Sequence, residues 1–86
     1  MFLERTERFK RAYEKLDEER RARVQKALRL LIEDSRHPSL QAKKMQGTAG
    51  IWEARAGISL RITFEMHRDT ILLRNVGEHD ETLKRP

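Results

Sequence analysis

The hydrophobic period changes once along this chain, and that change limits what the chain can become. Phe9, Ala12, Tyr13 and Leu16 recur at i, i+3, i+4 and i+7, and Val24, Ala27, Leu28 and Leu31 repeat the theme. Each set draws one apolar stripe along a helix. Beyond residue 50 the period becomes two. Leu60, Ile62, Phe64 and Met66 alternate with Arg61, Thr63 and Glu65, as on a strand with one dry face and one wet face. Helices first and strands afterwards predict an α+β fold, with a helical hairpin burying its stripe against an antiparallel meander.

Local signals sharpen the boundaries. Thr6 and Asp17 precede the two helical stripes as N-caps, and the tight junction at Leu16–Asp17 implies antiparallel helices. Helix two should fade near Asp34 and Ser35, because His37 precedes Pro38 and is pushed out of the helical region. A long polar loop then runs to about Gly50. Residues 51–56 form a strand ending at Gly57, and a His67-Arg68-Asp69 turn leads into residues 71–76. That last run is apolar on both faces, so it belongs inside the sheet. Phe2–Glu4 suits a short edge strand, and the polar tail from Glu78 is expected to fray after Leu83.

With 86 residues the chain forms one domain, residues 1–86, whose small core must be efficiently built. No stretch approaches the roughly 18 apolar residues of a membrane span. The N-terminus lacks an apolar signal segment, so no membrane partner is expected and a cytoplasmic location is. The absence of cysteine removes disulfides and thiolate chemistry. A net charge of +5 favours an anionic partner. Its distribution matters more than its size. Up to Asp34 acids and bases are nearly balanced, whereas residues 35–67 carry Arg36, Lys43, Lys44, Arg55 and Arg61 against only Glu53 and Glu65.

Those cations are the candidates for chemistry. Arg61 lies on the wet face of the clearest strand, with Arg55 across the Gly57 turn, and two planar guanidinium groups can grip phosphate oxygens in pairs. The plainer alternative is that each pairs with Glu53 or Glu65. His79 follows a strand end beside Gly77 and can move a proton near neutral pH, although a lone exposed histidine is more often surface. Lys43 and Lys44 read equally as phosphate-backbone contacts or as a solvated loop. Trp52 shares a face with Ala54 and Ala56 and is expected in the core. His37 and His67 fall in turns without chemical roles, and the three histidines lack ligand spacing, so no metal or other cofactor is expected.

The ordered set Pro38-Ser39-Leu40, Lys43-Lys44-Met45-Gln46-Gly47, Ile51-Trp52-Glu53-Ala54-Arg55, Leu60-Arg61-Ile62-Thr63-Phe64 and Asn75-Val76-Gly77-Glu78-His79-Asp80 resembles the RelE family of bacterial toxins. These belong to the RelE/ParE superfamily of type II toxin–antitoxin systems, and the likeness covers nearly the whole chain. It implies a helical hairpin on a curved antiparallel β-sheet. It also implies a metal-independent, ribosome-dependent mRNA endonuclease in which the ribose 2′-hydroxyl attacks the adjacent phosphate. By position, Arg61 and Arg55 would contact phosphate and His79 would donate or accept a proton. Lys43 and Lys44 would touch substrate or ribosomal RNA, and Glu53 stands at a substrate-side position that is basic in some relatives. The implied partners are a cognate acidic antitoxin, mRNA and the ribosome. One departure stands out: where many active relatives carry a tyrosine a few residues after the histidine, this chain has Leu83. A ParE-like gyrase inhibitor, and a catalytically weak domain that binds only antitoxin or RNA, are the alternatives.

Overall fold

The computed structural model describes all 86 residues. β1 (Phe2–Arg5) leads into α1 (Glu7–Glu14) and α2 (Glu18–Glu33); a 3-10 turn (Pro38–Leu40) and β2 (Lys43–Lys44) follow. β3 (Ile51–Arg55), β4 (Leu60–His67) and β5 (Thr70–Glu78) then form the meander, and α3 (His79–Lys84) closes the chain. The sheet order is β1-β5-β4-β3-β2.

Both predicted caps form. The Thr6 hydroxyl accepts from the Phe9 N–H at 3.1 Å, and Asp17 Oδ1 accepts from the Arg20 N–H at 2.8 Å. Each satisfies a helix-end donor and contributes about 1 kcal/mol. The Thr6 hydroxyl also donates to the Leu73 carbonyl at 2.9 Å, which ties the start of α1 to β5. The apolar stripe of α2 (Val24, Ala27, Leu28, Leu31) meets Phe9 from α1 and Ile62, Phe64, Ile71 and Leu73 from the sheet, all buried. Burying each large side chain is worth about 2–3 kcal/mol. Trp52 is half-buried and stacks on Phe64 with ring centroids 6.3 Å apart, so it packs at the rim of the core. Met66, expected on the dry face with Phe64, lies at the exposed end of β4 instead.

Three features differ from the sequence reading. First, the sheet is mixed, because β1 pairs with β5 in parallel. A parallel pair needs a crossover, and here the two helices and the rest of the meander separate the partners. Second, the loop before Gly50 is structured. Leu40 is fully buried and anchors it, and β2 pairs antiparallel with β3 (Lys43 with Glu53, Lys44 with Trp52). Third, the tail does not fray at Leu83. It forms α3, whose Thr82 is buried, and Asn75 Nδ2 donates to the Arg85 carbonyl at 3.0 Å beyond it.

A β-bulge also breaks the β4–β5 register. Thr63 pairs with Asn75 and Phe64 with Leu73, which leaves Arg74 as the extra residue. A bulge re-aims the side chain it displaces, and Arg74 uses that freedom to reach Glu65 on β4.

Candidate functional site

The face of the sheet opposite α1 and α2 carries the polar residues, in rows fixed by register. Directly opposed residues of antiparallel strands share a face. One row is therefore Lys43, Glu53, Thr63 and Asn75, and the next is Arg55, Arg61 and Gly77. This same rule separates the two lysines. Lys43 shares the open face with Glu53, whereas Lys44 points the other way, its ammonium 5.7 Å from the centre of the Trp52 ring in a cation–π contact.

Arg61 is held without a carboxylate. One guanidinium nitrogen, Nη1, donates to the carbonyls of Gly57, Ile58 and Leu60 at 3.0, 3.2 and 3.1 Å. The β3–β4 turn thus serves as a socket that fixes the side chain without neutralising its charge. Partial burial, and then the neighbouring Arg55, hold Arg61 below the ordinary guanidinium range, with Glu53 acting in the opposite sense. An arginine so crowded gains from an arriving anion. Arg55 reaches only the Ile58 carbonyl, at 3.5 Å. Neither arginine forms the ion pair with Glu53 or Glu65 that the plainer reading required.

His79 is brought to the same place by the β4–β5 register. Leu60 opposes Glu78, so the chain turns into α3 beside the hairpin, and the His79 N–H donates to the Ser59 carbonyl at 2.6 Å. Arg61 and His79, with Ile58, Ser59, Glu78, Asp80 and Glu81, line one shallow cleft. Asp80 was not foreseen. Its Oδ1 lies 2.9 Å from His79 Nδ1, and the hydrogen bond from His79 lowers its pKa below the usual carboxylate range. An ionised carboxylate can only accept, so Nδ1 carries the hydrogen and Nε2 is left to exchange a proton. A histidine followed directly by an aspartate was the available signal. Of the two other acids at the rim, Glu78 is engaged by Arg20 at 3.0 Å and Glu81 forms no ion pair.

Sequence comparison leaves the chain alone: no family profile and no curated protein matches it. Comparison of folds does not. The E. coli RelE toxin superposes with a TM-score of 0.70 at 20% identity, over 98% of this chain and 96% of that one. A YoeB/ParE toxin from Agrobacterium tumefaciens gives 0.78 at 16% identity, over 92% and 99%. A chain of the RelB–RelE antitoxin–toxin complex from Methanococcus jannaschii gives 0.75 at 19%, over 96% and 99%. The fold is that of the RelE-type toxins.

Within this RelE-type fold the remaining open-face charges divide cleanly. Glu65 takes Arg74 and, at 2.9 Å, His67, and these partners lower its pKa, Arg74 first. Arg74 Nε also donates to the Pro86 carbonyl at 3.1 Å, so this end of the face is stitched to the tail. Lys43 and Glu53 are in register but form no ion pair. Leu83 is half-buried on α3, so that helix presents no aromatic ring. No set of three His, Asp or Glu side chains is arranged to hold a metal ion, and no helix is long and apolar enough to cross a membrane.

Proposed function

We propose that this protein is the toxin of a type II toxin–antitoxin pair and cuts messenger RNA on the ribosome. The observation that carries the reading is Arg61, fixed by three turn carbonyls and free of any carboxylate, in a cleft shared with His79. In the reaction a ribose 2′-hydroxyl loses its proton and attacks the adjacent phosphorus. The 5′-oxygen leaves with a proton, giving a 2′,3′-cyclic phosphate and a 5′-hydroxyl. Negative charge builds on the non-bridging oxygens, where Arg61, assisted by Arg55, stabilises it more strongly than in the ground state. His79 Nε2 supplies or removes a proton, with Asp80 orienting the ring. Lys43 lies one strand further along the open face and contacts the RNA backbone; Glu53 tempers the field between them. The nucleophile comes from the substrate, so the protein's task is orientation and charge stabilisation.

The partner is an antitoxin with an acidic segment that covers this cationic face and blocks it. The RelB–RelE complexes on the same fold support that choice. Tight association that weakens with added salt is the expected behaviour, since exposed charges are screened within about 10 Å at 0.1 M salt.

Induced expression in a bacterial host tests the function, with 5′-end mapping of transcripts for wild type, Arg61→Ala and His79→Ala. Codon-phased cuts in translated messages, lost in both variants, are expected. Arrest with intact messages and broken DNA would instead support gyrase inhibition, which does not require His79. The missing aromatic at Leu83 predicts slower cutting than in a Leu83→Tyr variant.

A further inference from the structure

Beside the cleft lies a second groove, between α2 and the β3–β4 hairpin, that the reaction leaves unexplained. Arg23 and Lys26 from α2 and Arg55 from β3 line it, together with Gln41 and Ile58, and no acidic residue does. Lys26 and Arg55 have no carboxylate within 4 Å, and Arg23 meets only the exposed Glu19, at 2.8 Å. Three like charges with a single exposed counterion among them cost stability and mark a place for an anion. Of its apolar residues Ala27 and Leu40 are buried in the core, Leu30 and Ala56 are half-buried, and only Ile58 is exposed.

We propose that this groove is a second RNA-backbone site, which receives phosphates of the same strand after it leaves the cleft. Two observations join the sites. Arg55 lines the groove and is also the cation that presses on Arg61. Ile58, at the hairpin tip, borders both depressions and is 85% exposed. A strand crossing the tip keeps its phosphates over a continuous run of cations, from Arg61 through Arg55 to Arg23 and Lys26. Ile58 then gives the bases an apolar surface at the crossing, as wedge residues do elsewhere. The proposal takes the strand's direction from the RNA-cutting reading, but binding in the groove does not depend on it.

The test is the salt dependence of binding of a fluorescent single-stranded 2′-O-methyl RNA of about twelve nucleotides, measured by anisotropy. Such RNA cannot be cut by its own 2′-oxygen, so binding is read apart from catalysis. Each lost phosphate contact flattens the plot of log affinity against log salt by about 0.7. Arg23→Gln/Lys26→Gln should flatten it by about 1.4 and Lys26→Gln alone by about 0.7. The single variant keeps the test valid if losing Arg23 disturbs the hairpin. Unchanged slopes in both variants overturn the proposal. So does a variant that loses a poly-glutamate peptide while keeping the RNA, because that makes the groove a protein-docking surface. A flatter slope upholds the groove even if Arg61→Ala proves harmless to message cutting, in which case only the catalytic reading falls.

Discussion

The two ends of β4 carry opposite charges on one face and treat them differently. Glu65, toward the far end, is neutralised by Arg74 and hydrogen-bonded to His67, and through Arg74 it is fastened to the tail. Arg61, four residues earlier, is fixed as firmly but only by carbonyl dipoles, with another arginine as its neighbour. A charge that is paired supports the fold. A charge that is positioned and left unpaired is available to a ligand. The contrast marks a candidate site more sharply than the net charge does, because it distinguishes cations that are used up from cations that are not.

The largest effects should come from the apolar face beneath both ends. Phe64→Ala removes a fully buried ring and should cost about 3–5 kcal/mol in chemical denaturation, at either end of the strand's function alike. Arg61→Ala should leave the unfolding midpoint nearly unmoved, yet slow message cutting by a factor of about 100–1,000, as loss of a preorganised charge stabiliser does. If it instead lowers stability as much as a core deletion, the socket is structural and the contrast fails.

Replacing Gly77 probes the hinge between sheet and α3. An added Cβ would lie 2.9 Å from Thr82 Oγ1, at a backbone φ of 156° that side-chain-bearing residues rarely adopt. Gly77→Ala should therefore cost roughly 1–3 kcal/mol and displace His79, so that thermal melts and cutting both suffer. Glu65→Gln should do the reverse of Arg61→Ala, costing about 1 kcal/mol with cutting retained.

The acid limb gives the finest discrimination. The folded pKa of Glu65 is depressed, so its contribution is fully present above its unfolded value of about 4.3 and is lost as pH falls through the lower folded value. Glu65→Gln should lower stability near neutrality and flatten the profile below about pH 4.3, where it converges with wild type. A profile equally steep in the variant would assign the acid sensitivity elsewhere.

Much of this was legible in the chain. Both helices and three strands follow from period, and the caps at Thr6 and Asp17 from residue chemistry. The parallel placement of β1 was not, since four residues carry no record of direction. β2 and α3 were missed because two and six residues are too short to show a period. Arg61, Arg55 and His79 were identifiable as candidates by residue type and place. Their isolation from Glu65 was not, because it depends on a bulge at Arg74 that only the three-dimensional register reveals. Register likewise parts Lys43 from Lys44, which look equivalent in sequence.

The central claim is that Arg61 is a positioned, unspent charge that acts on phosphate. Single-turnover cutting of ribosome-bound message by wild type, Arg61→Ala and Glu65→Gln, each with its unfolding midpoint recorded, tests it most directly. The account predicts a loss of about 100-fold or more for Arg61→Ala at unchanged stability, beside near wild-type cutting for the less stable Glu65→Gln. Undiminished cutting by a folded Arg61→Ala protein would contradict it.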